Sequence, residues 1–285
     1  MIPSASLSPK EGKAISVRGL RYTYEGGVAA LRDINLDITN GEYLAIVGGN
    51  GSGKTTLAKN LNGLLRPTGG EVIIEGRPVG RRSVAEIAKI VGFAFQNPDH
   101  QLFCPTVEEE VRFGPLNLGF SETEIAEHVE YAIESMNLGR FRKTPPLSLS
   151  LGERRRVTIA SVIAMDPRVF ILDEPTTGLD AQEASELMGK LRIFNEEGKT
   201  IVLITHDMKL VAEHAKRVVV MSQGKILLDS DPRGAFSDPE LLRQGNLEPP
   251  PVALLAHRLS ALGVPPDVIS PEELVFQVLR GRGGT

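Results

Sequence analysis

Eight consecutive residues, Gly48-Gly49-Asn50-Gly51-Ser52-Gly53-Lys54-Thr55, fit the pattern G-x-x-x-x-G-K-[ST], a cradle for the phosphates of a nucleotide. Glycine is required because the chain must turn its backbone N–H groups inward along a path that a Cβ would obstruct. Lys54 offers a point charge to the β- and γ-phosphates, the Thr55 hydroxyl is placed to ligate Mg²⁺, and Thr56 is the next nucleotide-binding position. Much further along, Val169-Phe170-Ile171-Leu172-Asp173-Glu174 is an apolar run ending in two acids. Ligands of open α/β sheets sit beyond the carboxyl ends of strands, so both acids should face the phosphates. Asp173 then holds Mg²⁺, through water, and Glu174 is the base that orients and activates an attacking water. The bland readings are a ligand-free glycine turn and two solvated acids, and a strand before the glycines with a helix after them disfavours both.

These groups need elements to hold them. The apolar run Tyr43–Val47 predicts a strand, and Thr55–Leu65 predicts a helix ending near Pro67, whose positive dipole end adds to the anion site. Three more apolar runs, Val169–Leu172, Thr200–Ile204 and Val218–Met221, with a helix from Asp180 to Phe194 between the first two, predict a parallel, doubly wound sheet. Ile15–Leu20 and Leu31–Ile38 predict a separate antiparallel sheet. Between loop and acids, Ser121 and Glu124 form a capping box for a helix to Met136, with Ile125, Val129, Ile133 and Met136 on one face. It belongs to a helical subdomain over about 97–165. The main domain runs over 14–230, after a disordered tail over 1–13. Beyond it, 231–285 is a proline-punctuated extension. There Val252, Leu255, Leu259 and Leu262 share a helical stripe, and Ser270-Pro271 with Glu273 starts a second helix ending near Gly281. Packing onto the main domain and a dimer contact are both open to that stripe.

The net charge of −4 gives no basic excess for holding nucleic acid. The single cysteine, Cys104, cannot form an internal disulfide and suits a reducing compartment. The first residues have no basic stretch followed by an apolar one, and nowhere do eighteen apolar residues run together, so membrane business must go through a partner. His100, His128, His214 and His257 carry no placement that suggests a role.

At Leu149-Ser150-Leu151-Gly152-Glu153, followed by Arg154-Arg155-Arg156-Val157, then Asp173-Glu174 and His206, the sequence resembles ATP-binding-cassette (ABC) ATPases from Ile15 to about Leu228. The resemblance implies an ABC-type P-loop fold: a doubly wound core sheet, an antiparallel β subdomain and a helical subdomain. Leu149 to Glu153 looks like the family's signature loop, usually Leu-Ser-Gly-Gly-Gln, from which Leu151 and Glu153 depart. In the family the serine hydroxyl and glycine amide, here Ser150 and Gly152, cap the γ-phosphate of ATP bound by the opposite subunit, which implies a head-to-tail dimer. Tyr24 corresponds to the aromatic residue that stacks on adenine, with Tyr22 the lesser choice. Gln96 looks like the glutamine that touches Mg²⁺ and the attacking water, against a plain surface glutamine. His206 resembles the γ-phosphate histidine, against a structural one. Asp180 resembles the cross-dimer aspartate, though a helix N-cap would explain it equally. The arginine run is expected on the helix after the signature loop, solvated or paired with acids.

Gln96 to Phe103, Thr106 to Val111 and Phe113 to Gly119 look like the energy-coupling-factor branch, whose ATPases also carry a C-terminal extension associated with the dimer interface. In that branch a pair of ATPases, of one chain or two paralogues, drives an integral membrane scaffold protein that carries a substrate-binding membrane protein. The branch implies micronutrient uptake, of a vitamin or of cobalt or nickel ions, energised from the cytoplasmic face. Two rivals are a soluble cassette ATPase without a transporter, as in iron-sulfur assembly, and a subunit that binds ATP without hydrolysing it. Glu174 and His206 weigh against the second, and the interval from Lys54 to Ser150 has no sustained heptads of the kind that repair-type members carry.

Overall fold

A computed structural model describes residues 12–282. In chain order the strands and α-helices are β1 Lys13–Thr23, β2 Ala29–Thr39, β3 Tyr43–Val47, α1 Lys54–Leu61, β4 Gly69–Ile74, β5 Arg77–Pro78, α2 Val84–Ala88, β6 Val91–Ala94, α3 Val107–Leu118, α4 Glu122–Ser135, α5 Leu151–Ala164, β7 Val169–Asp173, α6 Ala181–Glu196, β8 Thr200–Ile204, α7 Met208–His214, β9 Arg217–Ser222, β10 Lys225–Ser230, α8 Pro232–Ser237, α9 Pro239–Gln244, α10 Pro251–Arg258 and α11 Pro271–Arg282. The tail expected over 1–13 lies outside the described residues up to residue 11, while Lys13 already pairs with Thr39.

The core sheet has the order β10-β9-β3-β8-β7-β6, parallel except for the β9–β10 hairpin. Every residue of β3, β7 and β8 is buried, because helices or the second sheet cover both faces, and such strands read as unbroken apolar runs. From β3, Leu44 and Ile46 face α1 and the antiparallel sheet β2-β1-β4-β5, whereas Tyr43 joins α6 and the helices α3 to α5. Helix α5 runs between α3, α4 and β6, and so every residue of its second half, from Val157 to Ala164, is buried.

Several boundaries differ from expectation. Helix α1 stops at Leu61 rather than Leu65, because Gly63 takes φ 74° after the Asn62 C-cap. The stripe from Val252 to Leu262 is not one helix: α10 ends at Arg258, a 3₁₀ turn follows, and Gly263 at φ 85° closes it. Val252 and Leu259 pack against a small core of Ala256, Val264, Val268 and Leu274, while Leu255 and Leu262 are exposed. The extension is joined to the main domain through Ala235, Phe236, Leu242, Leu247 and Ala253, which share a cluster with Val218 and Val220 of β9.

One core position is chemically mismatched. Tyr43 is 1% exposed and its hydroxyl has no hydrogen-bond partner among the described residues, so burial drives its pKa upward. A buried unsatisfied donor costs about 1–3 kcal/mol, and replacing it by an apolar group of similar shape removes that cost. Tyr43→Phe is therefore expected to raise stability in urea unfolding by about 1 kcal/mol. A loss of stability would mean that the hydroxyl is satisfied after all.

Candidate functional site

The cradle joins the end of β3 to the start of α1. Gly48 takes φ 155° and Gly53 φ 105°, and a Cβ would lie 2.3 Å from the Met221 carbonyl oxygen at Gly48 and 2.8 Å from that of Ala30 at Gly53. Side chains are thus excluded at both ends of the loop by conformation and by contact. Between them, Ser52 is buried, Asn50 and Gly51 are exposed, and the Gly49 amide donates to the Gly245 carbonyl at 2.8 Å. This last tie brings the turn after α9 up against the cradle, where nothing in the sequence placed it.

Lys54 Nζ donates to the carbonyls of Gly48 at 2.7 Å and Gly49 at 3.0 Å, which holds the ammonium within its own loop. Burial lowers its pKa, opposed by the charges of Glu174 and Asp173. The Thr55 hydroxyl donates to Asp173 Oδ2 at 2.8 Å. Asp173, 2% exposed at the carboxyl end of β7, has its pKa raised by burial, while the Thr55 bond lowers it and the neighbouring Glu174 raises it further. Glu174 adopts φ 49°, left-handed for a non-glycine residue, and its amide donates to the Ile204 carbonyl at 2.8 Å. Its Oε1 lies 2.8 Å from His206 Nδ1, and the Thr205 hydroxyl reaches Oε2 at 3.4 Å. His206 follows β8 with its side chain 73% exposed, so a buried carboxylate is met by a ring that stands in the open. The carboxyl ends of three adjacent strands, β3, β8 and β7, thus bring Lys54, Thr55, Asp173, Glu174 and His206 together.

Tyr24 stands beside α1, its hydroxyl 3.0 Å from that of Thr56, and meets the edge of the more buried Tyr22 ring at a 4.9 Å centroid distance. Gln96 is exposed just past β6. Leu149 and Ser150 lead into α5, and Leu151, Gly152 and Glu153 form its first turn. Ser150 is the N-cap, its hydroxyl accepting from the Glu153 amide at 3.3 Å while its own amide donates to Glu153 Oε2 at 2.9 Å, so the departure at Glu153 keeps a capping box. Leu151 is half exposed and lies against Gly178, where a Cβ would come within 2.8 Å of its side chain. Gly152 faces the Gly178 carbonyl, and Asp180 caps α6 by accepting from the Glu183 amide at 2.8 Å. The signature loop and the Asp180 turn therefore adjoin one another, and among the described residues no hydrogen bond joins either to the cradle of the same chain.

The arginine run needs correction. Arg154 and Arg156 pair with Asp99 and Glu183 as expected, but Arg155 is neither solvated nor paired with an acid: it is 1% exposed. Gly152, Arg155, Ile159 and Val162 follow one helical stripe, and that spacing could have placed Arg155 inward from the sequence.

Among the described residues no group of three or more His, Cys, Asp or Glu could hold a metal ion. Thr55 and Asp173 supply one hydroxyl and one carboxylate oxygen, hard donors too few for a resident ion and suited to one arriving with phosphate oxygens and water, as Mg²⁺ does.

A glycine cradle, an acid pair on the adjacent strand but one, and a serine-capped loop on a helical arm define an ATP-binding-cassette ATPase. Residues 31–177 match the family model for ABC transporters. The energy-coupling factor transporter ATP-binding protein EcfA of Methanocaldococcus jannaschii is 45% identical over 248 residues, 86% of this chain and 89% of that protein. Its counterpart in Methanothermobacter thermautotrophicus is 41% identical over 273 residues, 95% of this chain and 88% of that protein. Other relatives, from Caldanaerobacter subterraneus and Methanosarcina acetivorans, are longer, and the chain spans 45% and 43% of their lengths. Among solved structures, cbiO1 from Clostridium perfringens, part of the ABC transporter complex cbiONQ, has a TM-score of 0.71 at 37% identity over 88% of this chain and 98% of that one. An ATP-binding cassette solved as a dimer after hydrolysis, with ADP and Pi, also has a TM-score of 0.71, at 30% identity over 77% of this chain and 99% of that one. The chain belongs to the ABC transporter family, as an ATP-binding subunit of the energy-coupling-factor type.

Proposed function

We propose that this subunit binds MgATP in the Gly48–Thr56 cradle and hydrolyses it between two subunits. The hydrolysis energises uptake of a micronutrient through an integral membrane scaffold protein at the cytoplasmic face of the membrane. The observation that carries this reading is the convergence of Lys54, Thr55, Asp173, Glu174 and His206 at the ends of three adjacent strands, with Thr55 bonded to Asp173 and Glu174 to His206. In it Lys54 turns from the loop carbonyls to the β- and γ-phosphates. Thr55, Asp173 and Gln96 are the residues that would hold Mg²⁺, which when bound neutralises developing phosphate charge. Glu174 orients the attacking water and takes its proton, His206 holds that carboxylate and reaches the γ-phosphate, and Tyr24 stacks on adenine.

Among the described residues no hydrogen bond ties Ser150 or Gly152 to the cradle of their own chain, which supports their service to the partner's nucleotide in a head-to-tail pair, with Asp180 beside them. ATP that bridges two subunits stabilises only the closed pair, so binding shifts the population towards closure and hydrolysis releases it. The exposed Leu255, Leu262, Val275, Phe276 and Leu279 of the extension suit a further contact between the paired ATPases, whether identical or paralogous. No described helix is long and apolar enough to cross a membrane. The membrane partners in this reading are the scaffold and a substrate-binding protein, which selects a vitamin or a cobalt or nickel ion.

The transport half is tested by affinity capture of the full chain from detergent-solubilised membranes. An integral membrane scaffold protein is expected to co-purify in stoichiometric amount. Recovery of soluble partners alone would overturn it in favour of a cassette ATPase working without a transporter.

A further inference from the structure

Among the largest fully buried side chains is a cation, Arg155, on α5. Its neighbours Arg154 and Arg156 have carboxylate partners, but Arg155 donates from Nη1 to the Phe95 carbonyl at 2.5 Å and from Nη2 to the Gln96 carbonyl. Holding a charge out of water on neutral carbonyls is costly, and a methionine of similar volume would fill the space without that cost. Burial lowers its pKa, while Asp173 and Glu174 pull it back up, so the guanidinium lies in the field of the two site acids.

The same segment is fastened to α5 at other points. Gln101 accepts from the Phe95 amide at 3.3 Å and donates to the Thr158 carbonyl and the Ser161 hydroxyl, both at 3.1 Å. Arg154 reaches Asp99 at 2.7 Å. A planar, forked guanidinium can fix two successive carbonyls, which an ammonium cannot do in the same geometry.

We propose that Arg155 is a positioning residue for Gln96. It sets the main chain from which Gln96 projects and, rooted in the helix that Ser150 caps, makes the Gln96 loop and the Ser150 loop move as one body. The role rests on the hydrolytic reading above. It implies that the position of the Ser150 loop is reported to Gln96 through a rigid link.

The test is a double-mutant cycle on the full chain. Arg155→Lys is expected to lower kcat for MgATP by about tenfold to 10²-fold, with KM changed by less than about threefold. Gln96→Ala is expected to lower kcat as well, and the double variant should fall no further than Gln96→Ala alone, since the arginine acts through the glutamine. Unchanged kcat in Arg155→Lys, or losses that multiply in the double variant, would overturn the proposal. A wild-type chain that fails to hydrolyse MgATP would instead overturn the hydrolytic reading. Native-state hydrogen exchange in dilute urea needs neither turnover nor a folded variant. In the wild type, the amides of Phe95, Gln101 and Arg154 should open with one free energy and one urea dependence. Independent opening of the two segments would refute the rigid link.

Discussion

Replacing Glu174 by glutamine is expected to slow ATP turnover by about 10²- to 10⁴-fold, the usual worth of a positioned base, while MgATP affinity stays close to that of the wild type. Glutamine keeps the size and one acceptor of the side chain but cannot take a proton. The backbone supports a distinction between chemistry and folding here. Glu174 sits at φ 49° with its amide bonded to the Ile204 carbonyl, so the strand end is held by main-chain geometry that the amide variant preserves. Phosphate release and nucleotide binding, measured on the same preparation, check both halves. Wild-type turnover would remove Glu174 from the mechanism.

The second large effect is on binding. Lys54→Ala is expected to weaken MgATP binding by at least about 10²-fold, because it removes two charge-assisted hydrogen bonds, one to each phosphate, at about 1.5–3 kcal/mol apiece, and each 1.4 kcal/mol is tenfold. Removing the ammonium also leaves Asp173 and Glu174 facing the triphosphate with less positive charge to offset them. The fold should persist, since among the described residues Lys54 Nζ bonds carbonyls of its own loop and the Ser52 hydroxyl. Titration calorimetry on folded variant protein reads the loss directly, and unchanged affinity would refute the cradle assignment.

Elements whose burial is two-sided were the easiest to find from residues alone. The runs Tyr43–Val47 and Thr200–Ile204 are the observed β3 and β8, because a strand covered on both faces reads as a nearly continuous apolar run rather than an alternating one. Caps were equally legible, since Ser121 with Glu124 and Asp180 with Glu183 satisfy orphan amides by local chemistry. What failed was long-range. Nothing local tells that Arg155 spends its donors on carbonyls sixty or so positions earlier, about the distance a helical subdomain inserts, and composition alone suggests solvent for such a residue. The support of Gly49 by Gly245 is a backbone contact and leaves no side-chain trace. The stripe from Val252 to Leu262 is only partly legible, because periodicity continues across Leu259 whereas the helix does not.

The strand order has a bearing on how the molecule is made. β3 leaves the ribosome well before β8 and β9, yet among the described residues these are its hydrogen-bonded neighbours, with Tyr43 facing Ile201 and Val47 facing Val220. At a synthesis rate of about 5–20 residues per second, the strand that carries the cradle must wait roughly ten seconds or more for its partners. Throughout that interval an unbroken apolar ribbon is unpaired on both edges, so the nascent chain is expected to lean on chaperones, and a message cut before β8 would yield an aggregating fragment rather than a smaller ATPase.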